Sequence, residues 1–78
     1  MKKVLITGGA TGIGRACALL FSQKGYDVYI TYNKSVPDID CATVVKCDLK
    51  NLDDIKNLFD TVGSVDVLVN NAGVSLIK

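Results

Sequence analysis

Thr7-Gly8-Gly9-Ala10-Thr11-Gly12-Ile13-Gly14 lies between a short apolar run, Val4-Leu5-Ile6, and a segment in which apolar residues return at helical spacing. A continuous apolar run bounded by glycines reads as a parallel strand covered on both faces. Each glycine after it has a physical use. Gly8 lets the chain leave the strand in a tight turn. Gly12 lacks a side chain, so the backbone can come close to an anion. Gly14 lets the following helix pack tightly on the strand, and the N–H groups at the helix start then face the anion. A tight strand–helix turn would use glycines too, but four of them within residues 8–14, in this context, point to a pyrophosphate cradle. A P-loop is excluded, because no Gly-Lys-Ser/Thr follows.

Working outward, a helix is expected over residues 12–24, with Ile13, Ala16, Cys17, Leu20 and Phe21 as its apolar side and Gly25 in the C′ position that stops it. Val28-Tyr29-Ile30-Thr31-Tyr32 is β-branched and aromatic, a second strand. Residues 33–40 hold the only proline, Pro37, and no helical period, so they read as a loop; residues 42–47 read as a third strand. Asn51 can cap a second helix whose stripe is Leu52, Ile55, Leu58, Phe59 and Val62, with Asp53 and Asp54 at its positive end and Gly63 after it. Residues 65–70 form a fourth strand, closed by Asn71-Ala72-Gly73. Strands alternating with helices predict an α/β fold, a partial Rossmann-like parallel sheet in spatial order 3-2-1-4 with one helix on each face. The order along the chain is βαβ-loop-βαβ.

Composition narrows the function. The 78 residues carry a net charge of +1 and no basic block, which argues against a nucleic-acid partner. Three cysteines, Cys17, Cys41 and Cys47, form no C-x-x-C pair, and there is no histidine, so a zinc site lacks ligands. They are expected to be free, buried thiols of a cytoplasmic protein. The apolar run after Lys2 and Lys3 is too short for a signal peptide, and no stretch is long enough to span a membrane.

The loop spacing is Gly-x-x-x-Gly-x-Gly, preceded by Thr7. Asn70-Asn71-Ala72-Gly73 stands at the end of the fourth strand and Cys47-Asp48-Leu49 after the third. With these three motifs in order, the chain resembles the short-chain dehydrogenase/reductase family over nearly its whole length. A sugar-nucleotide epimerase-like loop would be spaced Gly-x-x-Gly-x-x-Gly, which is not the pattern here. The resemblance implies a nicotinamide dinucleotide as ligand. It places Gly8, Gly9, Thr11, Gly12, Ile13 and Gly14 at the phosphates. Asp48 would stand beside the adenine with Leu49, and Asn71, Ala72 and Gly73 would pass near the ribose. Asn70 would tie neighbouring strands together. The other reading open for Asp48 is that it leads the chain into the second helix.

The end of the second strand bears on the choice of cofactor. An NAD site places an acid about 20 residues past the loop, to bind the ribose 2′-OH. Here the stretch is Tyr32-Asn33-Lys34-Ser35, with no acid. Lys34 would attract a 2′-phosphate, and Asn33 and Ser35 could hydrogen-bond to it, so NADP(H) is expected over NAD(H). A solvated loop charge is the plainer reading of Lys34, and Arg15 can add positive potential.

Two features depart from the family. Its catalytic Ser and Tyr-x-x-x-Lys lie later in a chain of about 250 residues, and no tyrosine here has lysine four residues on. No catalytic residue is therefore carried over. The expectation is that residues 1–78 are the N-terminal part of an NAD(P)-binding domain. The complete enzyme would move a hydride between nicotinamide and a carbonyl or alcohol, with tyrosine as acid or base. Second, the link between strands two and three has no room for the usual helix. An apolar fourth strand at the sheet edge would pair with the missing C-terminal half or with a second copy. A non-catalytic dinucleotide-binding or interaction module is the alternative.

Overall fold

The computed structural model describes residues 1–8, 12–34 and 36–71. Among these, the elements run β1 (Lys3–Thr7), α1 (Gly12–Gln23), β2 (Asp27–Tyr32), β3 (Thr43–Lys46), α2 (Leu52–Val62) and β4 (Val67–Asn70). The four strands form one parallel sheet in the order β3-β2-β1-β4, as the alternation of elements predicts. β1 pairs with β2 from Lys3↔Asp27 to Ile6↔Ile30, and with β4 from Val4↔Val67 to Thr7↔Asn70.

Side chains of a strand alternate between faces, and the core divides accordingly. Val4 and Ile6 of β1 join Val28 and Ile30 of β2 against Ala18 of α1. Leu5, between them, points the other way and packs with Cys47 and with Leu58 and Val62 of α2. The helices thus cover opposite faces. Val4, Leu5, Ile6 and Ile30 are fully buried, each stabilising the fold by about 1.5–3 kcal/mol through burial.

Chain-local signals set the helix ends. α1 stops in a Schellman arrangement: the Gly25 N–H donates to the Ser22 carbonyl at 3.0 Å and the Tyr26 N–H to the Phe21 carbonyl at 3.0 Å. Gly25 supplies the left-handed φ of 87°. The Phe21 and Tyr26 rings, whose residues the motif brings together, meet edge to face at 4.8 Å. α2 starts at Asn51, whose side chain accepts from the N–H groups of Asp53 and Asp54. At its other end the Lys3 ammonium donates to the Val62 carbonyl and lies 5.1 Å from the centre of the Tyr29 ring, a cation at the negative end of the helix.

Four details differ from the expectation. The inward side of α1 is Gly14, Cys17, Ala18 and Phe21, whereas Ile13 (74% exposed), Ala16 and Leu20 face outward. The helix is apolar nearly all round, so periodicity does not select its phase; close approach to the sheet does, with the small residues Gly14 and Ala18 at the buried positions. On α2, Leu58 and Val62 are buried but Leu52 and Phe59 are exposed. The same face of β4 is also uncovered: Leu68 pairs with Leu5 and is 57% exposed. β4 begins at Val67, since Asp66 is held by Lys3, whose N–H donates to its carboxylate at 2.8 Å and whose carbonyl accepts from its N–H at 2.9 Å. Of the three free cysteines only Cys47 is buried; Cys17 and Cys41 are partly exposed.

Candidate functional site

Parallel strands deliver the residues that follow them to one edge of the sheet. Gly8 follows β1, Asn33 and Lys34 follow β2, Asp48 comes two residues after β3, and Asn71 follows β4. The chain builds outward from β1 through β2 to β3, then places β4 on the other side of β1. That reversal is a topological switch point, where open α/β sheets bind ligands beyond the carboxyl ends of their strands.

The entrance to the glycine loop is held from both neighbouring strands. Gly8, at φ 68°, donates its N–H to Thr31 Oγ1 at 3.0 Å and accepts at its carbonyl from Asn71 Nδ2 at 3.0 Å. One residue earlier, the Thr7 hydroxyl donates to Asn70 Oδ1 at 3.1 Å across the β1–β4 pair. Asn70 thus ties strands together as expected, and Asn71 does so too: its amide is committed to Gly8.

Gly12 opens α1 with φ 60°, and among the described residues nothing beyond its chain neighbours and the helix's own backbone lies within 4 Å of where a Cβ would stand. The first turn of α1 carries no acidic side chain, so its positive end is not offset there by the chain's own acids. α2 is the opposite case, with Asp53 and Asp54 in its first turn. A helix N-terminus left uncompensated in this way suits an anion such as a pyrophosphate. Ile13 is exposed beside it, and Gly14 is buried against the sheet. Gly9 and Thr11 of the predicted set lie outside the described residues, as do Ser35, Ala72 and Gly73.

Asn33 and Lys34 are exposed directly after β2. The loop beyond them is fastened by Arg15 in the first turn of α1, whose Nη1 donates to the Asp38 carbonyl at 2.8 Å. Ile39 and Ala42 of that loop pack on the α1-side core. Asp48 shapes its own turn: Oδ1 accepts from the Lys50 N–H at 3.0 Å, and the backbone carbonyl accepts from Asn51 at 2.8 Å. Its N–H donates to Asp54 Oδ2 at 3.0 Å. Leading the chain into α2 is therefore a role Asp48 has. Leu49 is at the surface beside it. Burial, then the Asp54 and Asp48 carboxylates, push the Cys47 thiol pKa up.

Three parts of this arrangement carried no sequence signal: the Thr31 hydroxyl, the Asp54 carboxylate on Asp48, and the reach of Arg15 to Asp38. Thr31 read as an ordinary strand residue, Asp54 as a helix-dipole charge, and Arg15 as a source of positive potential. Among the described residues no group of three or more metal-ligating side chains could hold a metal, and no helix is long and apolar enough to cross a membrane.

A parallel sheet ordered β3-β2-β1-β4, a helix on each face and a glycine turn at the switch point define a Rossmann fold. The family model for short chain dehydrogenases matches residues 2–78, and the chain belongs to that family. It is 41% identical to secoisolariciresinol dehydrogenase of Forsythia intermedia, over 95% of this chain and 31% of that protein. It is 38% identical to D-xylose 1-dehydrogenase of Caulobacter vibrioides, over 92% of this chain and 33% of that protein. Among solved structures, aldohexose dehydrogenase of Thermoplasma acidophilum superposes with a TM-score of 0.78 at 38% identity, over 94% of this chain and 30% of that one. A short chain dehydrogenase/reductase family protein reaches 0.84 at 39% identity, over 94% and 34%. The chain spans about a third of the length of the curated relatives it matches.

Proposed function

We propose that residues 1–78 are the N-terminal, dinucleotide-binding part of an NADP(H)-dependent oxidoreductase of the cytoplasm. The complete enzyme would reduce a carbonyl or oxidise an alcohol. The observation that carries the reading is Gly12 at the start of α1: a left-handed glycine whose Cβ position is unobstructed among the described residues, with no acid in the helix's first turn. There the N–H groups of α1 would bind the pyrophosphate. Gly8, fixed by Thr31 and Asn71, would set the turn, and Asp48, Leu49, Asn71, Ala72 and Gly73 would line the adenosine and ribose. When bound, the nicotinamide supplies the hydride chemistry; the residues of this chain bind and orient.

NADP(H) is favoured over NAD(H) by Asn33, Lys34 and Ser35. An exposed ammonium follows β2 where an acid would repel a 2′-phosphate. Titrating the protein with NADPH and NADH, followed by nicotinamide fluorescence, tests this. Tighter NADPH binding, reversed in Lys34→Asp, is expected. Equal affinities, or no loss in Lys34→Asp, would refute the preference.

The length of the relatives and the open side of β4 support one further part of the reading. β4 pairs with β1 alone among the described strands, and Leu68 on the α2 side is largely uncovered. The strand would take a neighbour from a C-terminal half or, lacking that, from a second copy. Intact mass with light scattering checks it: a stable monomer of 78 residues would count against it.

A further inference from the structure

We infer that Thr31 is a positioning residue for the glycine loop, its hydroxyl holding the N–H of Gly8 where β1 parts from β2. The registers locate the parting. β1 pairs with β2 only as far as Ile6↔Ile30, while β2 runs on beside β3 through Thr31↔Val45 and Tyr32↔Lys46. β1 itself stays with β4 to Thr7↔Asn70. Gly8 therefore comes after the last β1–β2 pair among the described residues, and its backbone donor stands in a half-buried place. Such a donor is expensive to leave unmet. Thr31 is 2% exposed, and its Oγ1 accepts from Gly8 at 3.0 Å. A side-chain oxygen reaches further than a ladder carbonyl, so the two strands can separate without stranding the donor.

Two observations make this a matter of the site as well as of the fold. The Gly8 carbonyl is held at the same time by Asn71 from the far side, so both peptide groups of the turn's first glycine are fixed before any ligand arrives. Gly8 also lies at positive φ, and the direction in which the loop sets out follows from that one residue. An entrance fixed in advance leaves less of the anion site to be ordered on binding.

The inference rests on the dinucleotide reading, and the test separates the two. Three ligands are titrated calorimetrically: NADPH and ADP, which need the loop for their pyrophosphate, and adenosine 2′-monophosphate, which does not. Thr31→Val keeps the shape and removes the oxygen. It is expected to weaken NADPH and ADP by about tenfold and to leave adenosine 2′-monophosphate unchanged. Thr31→Ser, which keeps the hydroxyl, should restore most of the loss. Unchanged NADPH binding in Thr31→Val would overturn the inference, and so would an equal loss for all three ligands, the mark of a general structural effect. Failure of the unaltered protein to bind NADPH or ADP would defeat the dinucleotide reading, and this inference with it. Should Thr31→Val not fold, amide exchange in the unaltered, ligand-free chain decides: a protected Gly8 N–H supports the inference, and exchange at the rate of an open loop overturns it.

Discussion

Gly12 and Gly25 bracket α1 and allow one substitution to be made twice, once at the proposed site and once away from it. Both have positive φ, 60° and 87°, and at neither does a Cβ come within 4 Å of another described residue beyond its chain neighbours and the helix's own backbone. Alanine at either position meets no clash, so its cost is backbone strain alone. A left-handed conformation costs an L-residue about 1–2 kcal/mol, partly offset by about 0.4–1 kcal/mol from the stiffer unfolded chain. Each variant should therefore lose about 1 kcal/mol, a fall in Tm of about 4–8 °C for a domain this size. The two differ in what the new methyl faces. At Gly25 it enters solvent beyond the Schellman motif; at Gly12 it enters the space proposed for the pyrophosphate. Gly12→Ala should weaken NADPH binding by tenfold or more, about 1.4 kcal/mol or above, while Gly25→Ala binds as the unaltered protein does once the folded fraction is matched. Urea unfolding supplies the stability and nicotinamide fluorescence the affinity. If Gly12→Ala binds NADPH as well as Gly25→Ala does, the anion is not at the start of α1.

Other outcomes follow from single contacts. Asn51→Ala removes the acceptor of the Asp53 and Asp54 N–H groups, at 2.9 and 3.2 Å, and should cost about 1 kcal/mol in urea unfolding. Cys47 gives a pH dependence. Its pKa is raised in the folded chain, so the unfolded chain loses this proton first as pH rises. Stability should then fall from the ordinary thiol range, about 8.5, up to the raised folded value, and hold below it. Comparing urea midpoints across that window with those of Cys47→Ala checks it; an identical pH slope in both would contradict it. The buried thiol should also react with an alkylating reagent far more slowly than Cys17 or Cys41, read by peptide mass analysis.

The fold was legible because its decisive signals are local in the chain. Val4-Leu5-Ile6 is apolar throughout since both faces of a central strand are covered, and Asn51, Gly25 and Gly63 mark helix ends through their own backbone and side-chain chemistry. What was not legible depends on neighbours distant in sequence. Ile13, Leu20, Leu52 and Phe59 are apolar at helical spacing, yet which side of a helix turns inward is settled by the sheet beneath it. The turn out of β1 at Gly8 and the start of α1 at Gly12 could be placed from residues 7–14 alone. The turn's fastening could not, because Thr31 and Asn71 reach it from 23 and 63 residues away, and a strand threonine looks the same whether or not it holds a loop. Asp48 shows the intermediate case: its place after β3 was readable, but its turn with Lys50 and Asn51 and its cap from Asp54 emerge only in three dimensions.

The loop at the start of α1, together with Lys34, is proposed to hold NADP(H). Titrating the isotope-labelled chain with NADPH and with NADH, while following each backbone amide by NMR, tests it most directly. Tighter binding of NADPH is expected, with the largest shifts at Gly8, at residues 12–15, at Asn33 and Lys34, and at Asp48. Binding of NADH as tight as that of NADPH, or shifts gathered along α2 with the glycine loop undisturbed, would contradict it.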